Sequence, residues 1–224
     1  RVLRYDAARH ALDGALRRAL GLPEGLDLAR AGARDEASKR DLLAPLRDRW
    51  RDVARVYDAW MAAVVLPALW PGPAPERVRY QAFPCVRVHA PGEITLGPHA
   101  DAAYGHAAST INVSCLLSRA AGTSALVYET AAGREDWRQF EGDRGDALVW
   151  PGGTCAHFTT ENTTGAARWS LDARVVPDAA TSAYDAGPYF SVAAREGGAW
   201  RRVSPDADCV DPRVGLPFDR AAES

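Results

Sequence analysis

Between Trp70 and Glu76 the chain reads "WPGPAPE", and the spacing of apolar residues differs on its two sides. Upstream they recur three and four apart, as in Leu46, Trp50, Val53, Tyr57, Trp60 and Val64, which is the period of a helix with one buried face. Downstream, short β-branched or aromatic runs alternate with Gly, Pro, Asn and Asp, the texture of strands joined by turns. Three prolines and a glycine within seven residues deny backbone donors to any helix or ladder crossing this point. Helices first and strands behind argue for an α+β chain rather than an alternating βα repeat.

The helical period covers Asp6 to about Leu20 and about Asp35 to Trp70, with Pro67 expected to kink or end the second helix. The intervening "GLPEGLDLARAGAR" reads as a loop. Eight strands are expected: Tyr80 to His89, Thr95 to Asp101, Thr110 to Leu117, Ala125 to Thr130, Trp137 to Glu141, Ala147 to Trp150, Ala156 to Thr160 and Arg168 to Val176. Eight short strands in about a hundred residues suit a double-sheet jelly roll, whose mouth holds a small ligand. The expected organisation is one domain: helices over 1–76 packed on a barrel over 77–177, then an irregular extension over 178–224.

A chain of 224 residues is long enough for one substantial core, burying about 70% of the surface of the unfolded chain. A formal charge of −2 leaves no basic excess for phosphates, so nucleic acid is not an expected partner. The longest apolar run, "AWMAAVVLPALW" from Ala59 to Trp70, is too short and proline-interrupted to span a bilayer. The opening "RVLRYD" does not read as a secretory leader, and Cys85, Cys115, Cys155 and Cys209 form no C-x-x-C pair. The expectation is a cytoplasmic protein with buried free thiols.

Chemistry enters at "GPHADAAYGH". On a strand, His99 and Asp101 would point the same way, about 7 Å apart along the chain. One histidine–x–aspartate is weak evidence by itself. Downstream, "CAHFTTENTTGAARWSLDARV" adds His157 and, eleven residues later, Arg168 followed by Trp169 and Ser170. Two histidines and one carboxylate hold ferrous iron on one face and leave positions open for a bidentate co-substrate and dioxygen. Arg168 and Ser170, on one face of the last strand, suit the far carboxylate of 2-oxoglutarate, because a guanidinium matches a carboxylate with two parallel hydrogen bonds.

With this pattern, from about Tyr80 to Pro177, the chain resembles the iron(II)- and 2-oxoglutarate-dependent dioxygenases, which fold as an eight-stranded double-stranded β-helix. Within them, "VRVHAPGEITLGPHADAAYGH", "STINVSCLL" and "NTTGAARWSLDARVVP" are similar to the oxygenase-like proteins of streptomycin biosynthesis and related natural-product pathways. The resemblance implies His99, Asp101 and His157 as iron ligands and Arg168 with Ser170 as the clamp on 2-oxoglutarate. It adds Asn112 and Ser114 beside the co-substrate and Arg87 as another carboxylate partner, with Arg174 as the alternative to Arg168. Halogenating members lack the carboxylate ligand; Asp101 is present, so halogenation is not expected. The implied reaction consumes Fe(II)-bound 2-oxoglutarate and O2 and oxidises an unactivated C–H bond of a small polar metabolite, an amino acid or amino sugar.

Tyr104, His106 and Glu129 are the residues proposed to meet that substrate, although a turn histidine explains His106 equally simply and a solvated strand-end glutamate is the simpler reading of Glu129. Cys155, two before His157, reads as a small buried residue rather than a fourth ligand. Two other readings stay open: a cupin-type metal-dependent hydrolase or isomerase, in which the same ligands activate water, and a jelly-roll binding module without catalysis.

Overall fold

A computed structural model describes residues 1–31, 35–187 and 189–204 of the chain. Strand β1 (Val2–Arg4) leads into α1 (Leu12–Leu20), then α2 (Glu36–Leu43), α3 (Leu46–Trp60) and α4 (Leu66–Leu69). The long second helix of the expectation is therefore three pieces. Pro45 stands at the head of α3, where a missing N–H costs nothing, and so ends α2 two residues earlier. Pro67 sits in the first turn of α4 for the same reason, and a π turn over Met61–Val65 absorbs the mismatch behind it. Residues 6–10, expected to open the first helix, form turns.

The strands are β2 (Arg77–Gln81), β3 (Cys85–His89), β4 (Ile111–Leu116), β5 (Leu126–Tyr128), β6 (Arg138–Phe140), β7 (Asp146–Trp150), β8 (His157–Phe158), β9 (Arg168–Pro177), β10 (Phe190–Glu196) and β11 (Ala199–Arg202). The ten-residue β9 organises the larger sheet. One edge pairs with β4, which continues through β7 to β1; the other pairs with β3 over its first half and β2 over its last residues. The expected first strand is thus split at Pro84. Beyond β2 lie β10 and β11, a hairpin where the sequence suggested an irregular extension. Residues 205–224, and Cys209 with them, lie outside the described residues. Of the other cysteines, Cys115 and Cys155 are buried and Cys85 is half-buried, all three as free thiols.

The smaller sheet runs β6-β5-β8, and His99 joins its free edge through a single bridge to His157. That bridge and a hydrogen bond from Thr159 N to Leu96 O at 3.0 Å are what the segment expected as a strand over Thr95–Asp101 contributes. Pro98 brings no N–H to a ladder, and Asp101 already opens a 3-10 turn over Asp101–Tyr104. Two facing sheets, β3-β9-β4-β7 and His99-β8-β5-β6, make a double-stranded β-helix.

Alternation along β9 assigns its two faces. Trp169, Leu171, Ala173 and Val175 turn outward and pack with Trp50, Val53, Tyr57 and Trp60 of α3 in the main apolar core. Burial of each of the larger of these side chains contributes about 1.5–3 kcal/mol. The polar ends of three aromatics find acceptors there: Trp50 Nε1 donates to Ala82 O at 3.0 Å, Tyr57 Oη to Gln81 O at 2.9 Å and Trp169 Nε1 to Ala31 O at 2.9 Å. Arg168, Ser170, Asp172 and Arg174 turn the other way, into the barrel. The apolar lining between the sheets is the smaller cluster of Leu116, Leu126, Phe140, Leu148, Trp150 and Cys155. Among the described residues no helix is long and apolar enough to cross a membrane.

Candidate metal centre and active site

His99 and His157 are bridge partners that exchange backbone hydrogen bonds, His99 N to His157 O at 3.2 Å and His157 N to His99 O at 2.9 Å. Their rings are 4.4 Å apart. Each Nδ1 meets a backbone carbonyl two residues back, Gly97 O at 2.7 Å and Cys155 O at 3.1 Å. A carbonyl only accepts, so Nδ1 carries the proton in both rings and both Nε2 atoms are left as ligands.

Asp101 reaches the same point from the 3-10 turn. Its N–H is held by Gly152 O at 3.0 Å. Its Oδ2 accepts from Asn112 Nδ2 at 2.7 Å and Arg174 Nε at 2.6 Å, which turns Oδ1 toward the histidines. Oδ1 stands 3.5 Å from His99 Nε2 and 3.7 Å from His157 Nε2. The ligand atoms of all three residues fall within 4.8 Å of one another. The strand alternation expected to align His99 with Asp101 is not what does so; anchoring by Gly152, Asn112 and Arg174 is.

The electrostatics suit a cation. Burial opposes ionisation of Asp101, but Arg174, through its charge and its hydrogen bonds, outweighs it, and the carboxyl is held well below its usual range. Burial lowers His157 to about 4, His99 adding to the effect and Asp101 opposing it, so its ring is neutral at pH 7. Two imidazoles and one carboxylate are the donor set of a facial triad for a divalent transition metal.

Behind the triad, the inward face of β9 continues as a hydrogen-bonded row. Arg168 Nη1 donates to Ser170 Oγ at 3.2 Å, Ser170 Oγ to Asp172 Oδ1 at 2.9 Å, Ser114 Oγ to the same oxygen at 2.7 Å, and Arg87 Nε to Asp172 Oδ2 at 2.6 Å. Arg168 is fully buried, yet among the described residues its Nε and Nη2 have no acceptor, and Asn112 Oδ1 and Trp150 Nε1 are likewise unpartnered. Burial lowers the Arg168 guanidinium to about 10, with Asp172 opposing. A cavity of 310 Å³ opens beside the metal ligands, lined by His99, Tyr104, His106, Arg87 and Arg174 among others.

No protein-family model matches the sequence. Over 176 residues the chain is 28% identical to the streptomycin biosynthesis protein StrG of Streptomyces griseus, covering 78% of this chain and 83% of that protein. Among solved structures it is similar to the apo form of the non-heme monooxygenase ThoJ, with a TM-score of 0.51 and 13% identity over 93% of this chain and 81% of the other. The alpha-ketoglutarate-dependent epimerase SnoN from nogalamycin biosynthesis aligns with a TM-score of 0.48 and 17% identity, over 97% of this chain and 89% of that one. This chain has the fold of a non-heme monooxygenase.

Within that oxygenase fold the expected site residues separate into groups. His99, Asp101 and His157 converge, with Asn112 beside them. Ser114, Ser170, Arg168 and Arg87 are brought together, with Asp172 at their centre. Tyr104 stacks near His99, ring centres 5.0 Å apart, and lines the cavity. His106 lines it too, its Nδ1 2.6 Å from Asp185 Oδ1 and its ring 4.7 Å from that of Tyr184. Glu129 does not line it. Its carboxylate accepts from Ala156 N at 2.9 Å, Glu135 N at 3.1 Å and Gly133 N at 3.2 Å, so it ties a loop to the residue before His157. Cys155 is buried in the inter-sheet cluster.

The oxygenase fold also uses residues that the sequence reading passed over. Asp172 had a signal: "RWSLDARV" alternates polar and apolar throughout, so extending the Arg168–Ser170 face by one step reaches it. Gly152 and Asp185 had none, because each acts on a partner 40 or more residues away along the chain, Asn112 and His106.

Proposed function

We propose that this chain is an iron(II)- and 2-oxoglutarate-dependent oxygenase that oxidises an unactivated C–H bond of a small polar metabolite, an amino acid or amino sugar of specialised metabolism. The observation that carries the reading is a pair of complementary vacancies in hydrogen bonding. Two Nε2 atoms and one carboxylate oxygen from remote segments converge without a hydrogen atom to share among them, and a buried arginine in the same barrel has two donors without an acceptor. Buried polar groups are rarely left so, and a metal with a dicarboxylate co-substrate fits both.

When bound, iron and its co-substrate supply the oxidising chemistry: 2-oxoglutarate and O2 give succinate and carbon dioxide while the substrate C–H bond is oxidised. The chain's own part is positional. Gly97 and Cys155 carbonyls hold the two imidazoles in the ligating tautomer, and Asn112 with Arg174 keeps one oxygen of Asp101 occupied so that the other faces the histidines. Arg168 and Ser170 are assigned the far carboxylate of the co-substrate. Leu126 and Trp150 wall the space beside His157 and keep bulk water from it. Tyr104 and His106 border the substrate cavity.

The test supplies Fe(II), ascorbate and 2-oxoglutarate and measures succinate. Oxygen-dependent succinate formation is expected. Its absence, together with failure to bind a divalent metal, ends the reading, and turnover of a metabolite that persists without oxygen favours a hydrolase or isomerase instead.

A further inference from the structure

The walls of the 310 Å³ cavity carry one sign of charge. Lys39, Arg87 and Arg174 line it, and among the described residues no aspartate or glutamate does. Two of these cations have their charge answered from outside the cavity: Lys39 Nζ meets Glu93 at 2.9 Å, and Arg174 forks onto Asp101. Arg87 differs. Its charge too meets a carboxylate, Asp172 at 2.6 Å from Nε, but among the described residues its two terminal nitrogens make no hydrogen bond to the protein. They are not sealed in as those of Arg168 are, since Arg87 lines both this cavity and the smaller one beside His157.

Charge counting leads to the same class of ligand. Inside the barrel three guanidiniums, Arg87, Arg168 and Arg174, face two carboxylates, Asp101 and Asp172. A divalent metal and the 2-oxoglutarate dianion cancel each other, so their arrival leaves one positive charge still unanswered. A buried charge without a partner is unfavourable, and the group that completes the site is therefore an anion. A cation in the same place meets repulsion from Arg87 and Arg174.

The geometry points to a substrate that carries an oxyanion, a carboxylate or a phosphate, received by the terminal nitrogens of Arg87. This rests on the reading of His99, Asp101 and His157 as the metal site and Arg168 as the co-substrate clamp. It narrows the substrate class: an amino acid qualifies through its carboxylate, whereas an amino sugar whose only charge is its ammonium does not.

The experiment uses ligands matched in shape and differing in charge: cyclohexanecarboxylate, cyclohexyl phosphate, cyclohexanol and cyclohexylammonium. Each is titrated calorimetrically into the protein loaded with redox-inert Ni(II) and 2-oxoglutarate, and into the metal-free protein. Expected is binding of the carboxylate or the phosphate, the better of the two identifying the group, with a Kd below ~10 mM and no binding of the ammonium. Arg87→Gln is expected to weaken that anion about tenfold or more, Arg87→Lys less, while 2-oxoglutarate affinity is retained in both. Three results overturn the inference: ammonium binding as tight as the anion, anion affinity indifferent to Arg87, or loss of 2-oxoglutarate binding in Arg87→Gln, which would give Arg87 to the co-substrate. If the wild-type chain takes neither Ni(II) nor 2-oxoglutarate, the oxygenase reading fails, and the metal-free titration still decides whether Arg87 receives an anion.

Discussion

Arg174 closes a two-point fork on Asp101, its Nε 2.6 Å from Oδ2 and its Nη2 3.1 Å from Oδ1. The carboxylate ligand is thereby aimed before any metal arrives. Removing a partner that orients a ligand lowers metal affinity by about 10–100-fold. Arg174→Ala is expected to weaken Ni(II) binding by that factor, and Arg174→Lys to recover only part, since an ammonium lacks the fork. Calorimetry on the folded variants reads this; affinity equal to the wild type's in Arg174→Ala would show that the fork orients nothing.

The backbone at Gly152 lies against Asn112. A Cβ there would fall 2.3 Å from the Asn112 side chain, and Gly152 O is the acceptor of the Asp101 N–H. Gly152→Ala must push Asn112 off the Asp101 carboxylate, with a stability loss of about 1–3 kcal/mol. Denaturant melts should show that loss together with weakened metal binding.

The three ligands differ in what their removal leaves behind. His99→Ala deletes a ring whose Nδ1 had only a nearby carbonyl, so metal binding and succinate formation should vanish with little loss of stability. Asp101→Ala strands Arg174 inside the barrel, which costs about 3–5 kcal/mol. Thermal and urea melts of the two variants, read beside their activity, distinguish these cases; equal stability would mean that Arg174 finds another partner.

Stability of the metal-free protein should depend on pH through His157. Its folded pKa, lowered to about 4 by burial, lies below the ordinary value of 6.5. Between the two, the unfolded chain binds the proton that the folded ring refuses, so stability is full above about pH 6.5 and is lost as pH falls toward 4. The loss is at most ~3 kcal/mol. Urea melts at pH 7 and pH 4.5 should show it in the wild type and less of it in His157→Gln.

Glu129 is held by backbone donors, and it does not line the cavity beside the metal ligands. Glu129→Gln keeps acceptor capacity but gives up the charge that three backbone N–H groups surround, and is expected to lower the midpoint of urea unfolding. Affinity for 2-oxoglutarate should stay close to that of the wild type, as measured by calorimetry. A large drop would return Glu129 to the binding site.

Where the sequence reading went astray, a backbone effect was responsible. Pro45 and Pro84 each divided an element that side-chain periodicity presented as continuous, because the period reports which face is buried and not where the hydrogen bonds stop. The hairpin of β10 and β11 escaped notice because the sheet edge offered by β2, rather than any strong local pattern, completes it. Glu129 looked like a strand-end carboxylate, and nothing nearby in the chain announces that the N–H groups of Gly133, Glu135 and Ala156 will surround it.

The order of helices and strands and the shared face of Arg168 and Ser170 were determined by the sequence alone, since they depend on a period of two or 3.6 carried by neighbours in the chain, and the candidate triad was legible from residue type. Only the tertiary structure decided that His99 and His157 are bridge partners, that Arg174 turns to Asp101, and that Arg87 keeps open donors toward the cavity. Those facts depend on which distant backbone lies alongside. Sheet register sets that, and no local spacing encodes it.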